Sequence, residues 1–138
     1  MPSGVLFVCL GNSCRSIMAE ALARDFFPES VKVGSAGIQP LGYIAENTLL
    51  VLAEAGISTQ GLSSKGFTEI DQAEFPLMVN LTAYALAACL PRAFTSKVVR
   101  HPVVDPFGGE LMVYREAREA IRRFITGELP GHLQSLSR

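Results

Sequence analysis

Val5-Leu6-Phe7-Val8-Cys9-Leu10-Gly11-Asn12-Ser13-Cys14-Arg15-Ser16 passes without interruption from strand-forming apolar residues into a polar turn. Val5 to Val8 has no alternation, so it is expected to be a strand buried on both faces, stopped by Gly11-Asn12. From Ser16 to Phe27 the apolar residues Met18, Ala21, Leu22 and Phe26 recur at helical spacing, and Pro28 ends the element. A buried strand, a tight loop and an amphipathic helix make the first half of a βαβ unit, which requires a parallel partner strand.

The rest of the chain supplies that partner and more. Val31 to Ser35 reads as a second strand closed by Gly37, and Ala45 to Ala55 as a helix with Gly56 as its C-terminal cap. Residues 58 to 74 are rich in Ser, Thr, Gly and Gln and read as loop with one helical turn. Leu77 to Leu81 is a third buried strand, Thr82 to Cys89 a small-residue helix, and Lys97 to Val99 a fourth strand. Leu111, Tyr114, Ala117, Ile121, Phe124 and Ile125 share one face of a final helix, whose other side holds Arg115, Glu116, Arg118, Glu119, Arg122 and Arg123. Strands alternating with helices imply an α/β domain with a four-stranded parallel sheet flanked by helices, spanning 1–138 as one unit. Ligands in such folds sit at the carboxyl ends of the strands, where the first strand delivers Cys9.

Composition narrows the function classes. With 49% hydrophobic and 18% charged residues and a net charge of −1, the chain is expected to be globular and lacks the basic footprint of a nucleic-acid binder. No stretch approaches the roughly 20 apolar residues needed to cross a bilayer. The start of the chain is too short and uncharged to be a secretory leader. Three cysteines, Cys9, Cys14 and Cys89, suit free thiols in a reducing compartment, so the cytoplasm is the expected location.

The chemistry is expected between Cys9 and Ser16. Leu10, Gly11, Asn12, Ser13 and Cys14 separate Cys9 from Arg15, enough chain to fold back so that successive N–H groups point inward as an anion nest. Gly11 and Asn12 are the residue types that tolerate the left-handed angles such a nest uses. The following helix adds its positive end. Arg15 can offer a planar fork of donors to two oxygens of a tetrahedral anion, which lysine cannot. The same field favours thiolate over thiol at Cys9, making it a nucleophile, and Ser16 is placed to donate a hydrogen bond to that sulfur. Asn12 is expected to brace the loop rather than touch substrate. A dithiol or zinc role for Cys9 and Cys14 is disfavoured, because their gap lacks the two-residue spacing of such motifs; no metal or cofactor is expected.

Breaking a phosphate ester also requires a proton for the departing oxygen. Asp105, before Pro106 in the loop from His101 to Gly109, follows the fourth strand and so belongs to the same rim as Cys9. It is the expected general acid. His101 and His132 are read as surface residues.

With these residues in hand, the chain resembles the low-molecular-weight protein tyrosine phosphatases and their relatives, the thioredoxin-coupled arsenate reductases. The resemblance rests on the Cys9 to Ser16 segment followed by Met18-Ala19-Glu20, on Ser35-Ala36-Gly37, Glu54-Ala55-Gly56-Ile57, Ser64-Lys65 and Asp105-Pro106. It implies a flavodoxin-like three-layer sandwich, Cys9 as nucleophile of a phosphocysteine intermediate, Arg15 as oxyanion clamp, Ser16 as thiolate support, and Asp105 as acid and then base for the hydrolytic water. It also implies a phosphorylated protein, phosphotyrosine among the candidates, or a small aryl phosphate as substrate, with Leu41 and Tyr43 in the segment that walls the site. The alternative it implies is arsenate reduction coupled to thioredoxin or a low-molecular-weight thiol. In that branch Cys89 matches one of two relay cysteines, while Thr82 occupies the other position, which breaks the relay. Ile17 and Phe107 stand where phosphatases usually carry proline and tyrosine. Ile17 and Thr82 keep a third class open, an anion-binding module without turnover.

Overall fold

The computed structural model describes residues 3–86, 90 and 95–136. Four parallel strands, β1 (Ser3–Cys9), β2 (Val31–Gly37), β3 (Leu77–Asn80) and β4 (Lys97–Arg100), form one sheet in the order β2-β1-β3-β4. β1 is an inner strand, with Cys9 paired to Gly37 and Val8 to Asn80. Its unbroken apolar run therefore meets protein on both faces, and Val5, Leu6, Phe7 and Val8 are all fully buried.

The two faces carry different layers. Val5 and Phe7 join the larger core with residues of α1 (Arg15–Phe26), α2 (Glu46–Glu54), α3 (Leu111–Gly127) and α4 (Leu129–Ser135). Leu6, Val8 and Met78 face the other way, onto Phe75 and Leu86 with Phe67, Ile70 and Leu90 beside them. Full burial of a side chain such as Phe7 on one face or Leu6 on the other stabilises by about 1.5–3 kcal/mol, so both faces of β1 contribute to holding the loop that follows it. β4 lies at the open edge, half to fully exposed, bracketed by Lys97 and Arg100, residue types that discourage pairing with a further strand.

Several expectations shift on contact with the structure. α2 ends as expected: Gly56 has φ +73°, its N–H bonds to Ala53 and that of Ile57 to Leu52, the double closure of a glycine-capped helix. Residues 58 to 74 hold two short 3₁₀ turns, Phe67–Glu69 and Gln72–Glu74, rather than one. The helix expected from Thr82 to Cys89 is absent over residues 82 to 85. There the Asn80 side-chain oxygen Oδ1 accepts from both the N–H and the hydroxyl of Thr82, and the Thr82 hydroxyl oxygen accepts from the Tyr84 N–H. Side chains have captured the donors a helix would need. Cys89 lies outside the described residues. α4 was not anticipated. Pro130 stands in its first turn, where a missing N–H is harmless, and Leu129 and Leu133 are buried.

The polar side of α3 is occupied as its pattern requires. Glu54 of α2 accepts from Arg115 and Arg118, which in turn neighbours Glu119 and Arg122. No helix among the described residues is long and apolar enough to cross a membrane.

Candidate active site

Residues 9 to 15 connect β1 to α1, and their backbone polar groups are sorted to two sides. The carbonyls of Cys9, Leu10, Gly11 and Ser13 accept from the N–H groups of Ile38, Gln39, Leu41 and Ala45, at 3.0, 2.8, 3.0 and 3.2 Å. The Thr48 hydroxyl also donates to the Ser13 carbonyl at 2.9 Å, and the Ser13 hydroxyl accepts from Ala45. Every one of these carbonyls is thus turned toward the β2–α2 connection. The N–H groups of residues 10 to 15 have no acceptor among the described residues. α1 begins at Arg15 with no side-chain cap and no acidic residue in its first turn. Unpaired N–H groups in a loop that leads into a helix N-terminus are the type of donor an anion nest uses.

Two residues of the loop work differently from expectation. Asn12 does adopt the left-handed conformation, at φ 49°, but Gly11 does not. Gly11 is needed for room instead, since a Cβ there would stand 3.0 Å from the Leu41 side chain. Gly37 matters more: an added Cβ would meet the Asn12 nitrogen and the Leu10 oxygen at 2.9 Å, so the end of β2 presses directly against the loop.

Cys9 and Ser16 face each other at 2.9 Å, both buried. The direction of that hydrogen bond follows from the neighbours. The Asn12 side-chain oxygen accepts from the Lys65 backbone N–H at 2.8 Å, which leaves its NH₂ to donate to Ser16 at 2.7 Å and to Ser35 at 2.9 Å. Ser16 already accepts, so its proton is available to the Cys9 sulfur. Asn12 accordingly braces the loop, as expected. Arg15 is 6% exposed; its terminal nitrogens reach the Leu81 and Val103 carbonyls at 3.3 and 3.2 Å and the Asp105 carboxylate at 3.5 Å. Its Nε is buried with no partner. A buried donor left unpaired costs on the order of 1–3 kcal/mol, which an anion would recover.

Asp105 stands at the rim, its side chain 45% exposed, with one carboxylate oxygen accepting from the Phe107 N–H at 3.1 Å. A cavity of about 200 Å³ opens between it and the loop, lined by Cys9, Gly11, Arg15 and Ser13 below and by Leu41, Gln39 and Phe107 at the walls. Leu41 supplies the wall expected of it. Tyr43 is exposed and does not line the cavity, whereas Phe107, noted in the sequence only as a departure, does. Cys14 also lines the cavity. Burial pushes its thiol up from the ordinary 9.0, partly offset by the Thr48 and Tyr114 hydroxyls, so it is a neutral neighbour near pH 7. Tyr114, buried and 3.7 Å from Cys14, is pushed up to about 12. Among the described residues no cluster of three or more His, Cys, Asp or Glu could hold a metal ion. The histidines lie away from the cavity; His101 is half-buried, stacked 4.2 Å from Phe124 and 3.9 Å from Glu128, rather than a bare surface residue.

Residues 4–137 match the family model described as low molecular weight phosphotyrosine protein phosphatase. The chain belongs to that family. Its members are cysteine-based phosphatases and include enzymes under other names. A protein-arginine-phosphatase of Geobacillus stearothermophilus is 34% identical, with 91% of this chain and 93% of the relative covered. An arsenate reductase of Bacillus cereus is 33% identical, with coverages of 90% and 96%. An arsenate reductase solved in a phosphate-binding state superposes with a TM-score of 0.82 at 25% identity, covering 95% of this chain and 98% of the other. The flavodoxin-like expectation for the sheet and its flanking layers is thereby met.

The sequence reading missed the residues behind the site. Ser35, Glu20 and Lys65 continue the hydrogen-bond chain beyond Asn12, yet they drew notice only as parts of family-like segments. One signal was available: Glu20 is a carboxylate among Met18, Ala19, Ala21 and Leu22 on a helix whose residues 15 to 23 are all buried. Charges in that setting are paired, and here the partners are Arg24 and Lys65.

Proposed function

We propose that this member of the family hydrolyses phosphomonoesters on protein side chains, with phosphotyrosine or a small aryl phosphate as substrate and Cys9 as the nucleophile. The observation that carries the reading is a set of unpaired donors beside Cys9: the N–H groups of residues 10 to 15 and the buried Nε of Arg15 have no partner among the described residues, and Cys9, Leu10, Gly11, Ser13, Cys14 and Arg15 line one cavity. A phosphoryl group has three equatorial oxygens for them, and donors fixed in advance stabilise the charge that spreads over those oxygens in transfer. The Cys9 thiolate attacks phosphorus in line, the P–O bond to the leaving group breaks, and Asp105 gives that oxygen its proton. Ser16 stabilises the sulfur as it leaves in the second step, when Asp105 takes a proton from the attacking water. Leu41 and Phe107 form apolar walls that suit a flat ring above the phosphoryl site.

Steady-state hydrolysis of p-nitrophenyl phosphate tests this directly. Turnover in the wild type that falls to background in Cys9→Ser supports the reading. Turnover that survives the substitution, or is absent from the start, ends it; the latter outcome would leave an anion-binding module.

A second reading, arsenate reduction, has the 33% identical relative in its favour. Arsenate would enter the same nest, and Cys89 with thioredoxin or a low-molecular-weight thiol would have to supply the electrons alone, because Thr82 offers a hydroxyl committed to Asn80. Arsenate turnover with either reductant that disappears in Cys89→Ser would reverse the order of the two readings. We place the protein in the cytoplasm, where the free thiols of Cys9 and Cys14 would stay reduced.

A further inference from the structure

We propose that Lys65 and Glu20, neither of which lines the cavity, are positioning residues that keep the hydrogen bond at the Cys9 sulfur pointing from Ser16 to sulfur; the proposal rests on the reading of Cys9 as nucleophile. The argument is one of donor and acceptor supply. A serine hydroxyl has a single proton, so Ser16 can serve the sulfur only while something else donates to its own oxygen. That donor is the Asn12 NH₂ at 2.7 Å. A side-chain amide turned by half a rotation would present its oxygen to Ser16 and draw the proton away from Cys9. The Lys65 backbone N–H, 2.8 Å from the Asn12 oxygen, selects the first orientation.

Lys65 is itself held from both ends. Its carbonyl accepts from the Gly37 N–H at 2.8 Å, and its ammonium group reaches Ser63 O at 3.0 Å, Ser35 Oγ at 3.2 Å and Glu20 at 3.4 Å. Ser35 Oγ, accepting from Asn12 and from Lys65, must send its own proton elsewhere, and it goes to Glu20 at 2.5 Å. Glu20 is 1% exposed, and as a carboxylate held by Arg24 and Lys65 it can only accept. Every proton in the chain from Ser16 to Glu20 therefore has one allowed position. Without the ammonium group, Ser35 loses a donor and Glu20 loses one of its two cationic partners, so the segment that presents the Lys65 N–H to Asn12 loses its side-chain anchor.

The test uses the full chain with Lys65→Met, Lys65→Arg, Glu20→Gln and the pair Lys65→Met with Ser16→Ala. Three quantities are read: kcat and KM for p-nitrophenyl phosphate, the rate of Cys9 alkylation by iodoacetate at pH 6, and the thermal midpoint. Lys65→Met should lower kcat about 10-fold with KM within about twofold, and slow alkylation in parallel, as expected when one positioning hydrogen bond is lost. Lys65→Arg should restore most of both, and Lys65→Met should add nothing once Ser16 is alanine, because the two act through one bond. A lower thermal midpoint with kcat and alkylation unchanged, or full additivity with Ser16→Ala, overturns the proposal. Should Glu20→Gln fail to fold, the Lys65 variants decide. If the wild type hydrolyses no aryl phosphate the proposed function fails on its own, while alkylation still decides this inference.

Discussion

The loop from Cys9 to Ser16 and the loop from His101 to Gly109 bring the two ends of the proposed chemistry together, yet they are built on opposite terms. In the first, Cys9, Asn12, Ser13, Cys14, Arg15 and Ser16 are buried, and four carbonyls are bound by a neighbouring segment. In the second, Val104, Asp105, Phe107, Gly108 and Gly109 are exposed, and the support is a turn of its own: Asp105 on the Phe107 N–H, and the Gly109 N–H on the Pro106 carbonyl. The contrast follows from the tasks. Donors that stabilise a developing charge must not reorganise during the reaction, so they belong on a rigid frame. A group that exchanges protons with a leaving group and with water must remain reachable by both.

Asp105→Asn gives the sharpest break between the two loops. It should slow esters with poor leaving groups by about 10²- to 10⁴-fold while sparing those with good ones, since only the former need the proton. Rates across a series of aryl phosphates check this, and equal losses throughout would mean that Asp105 serves the frame rather than the proton transfer. Gly37→Ala attacks the rigid loop from behind. A Cβ at 2.9 Å from two backbone atoms of the loop must displace them, which should cost about 1–3 kcal/mol of stability and lower kcat for every ester alike. Denaturant unfolding with the same ester series would separate this uniform loss from the graded one of Asp105→Asn.

The smallest expected effect concerns pH. Cys14 and Tyr114 are both harder to ionise in the folded chain than in the unfolded one, so their contribution to stability is whole below about pH 9 and is lost as pH rises toward about 12. Thermal midpoints measured from pH 8 to pH 11 should fall, and Tyr114→Phe should flatten the decline.

Much of this is legible in the amino-acid sequence. β1 announced itself because an inner parallel strand needs apolar residues at every position, and α3 because its buried stripe and its arginine face are separated by the helical period. The spacing of Cys9, Arg15 and Ser16 implies one turn between a strand and a helix, and the structure places all three there, with Ser16 2.9 Å from the Cys9 sulfur. What escaped depends on partners remote in sequence. The Lys65 backbone N–H meets Asn12 across 53 positions of sequence, a contact that no residue type advertises, and Phe107 reaches the cavity from a loop remote from Cys9 in the chain. Thr82 to Ala85 misled because small residues suit helices until a neighbouring Asn80 offers its side chain to the same N–H groups. α4 was hidden by Pro130 and Gly131, which read as breakers unless the proline is recognised as sitting in the first turn.

The sheet order β2-β1-β3-β4 has a consequence for synthesis on the ribosome. Of the four strands of the sheet, the first to be synthesised is one that must be flanked on both sides, by residues 31–37 and then by residues 77–80. Until they arrive, Val5 to Val8 can only cling to transient neighbours, and Arg15 lacks the Val103 carbonyl and the Asp105 carboxylate that orient it. A nascent polypeptide released before its last third would carry the thiol but no competent phosphoryl pocket, so abortive translation products should be inert toward phosphoproteins rather than unregulated hydrolases.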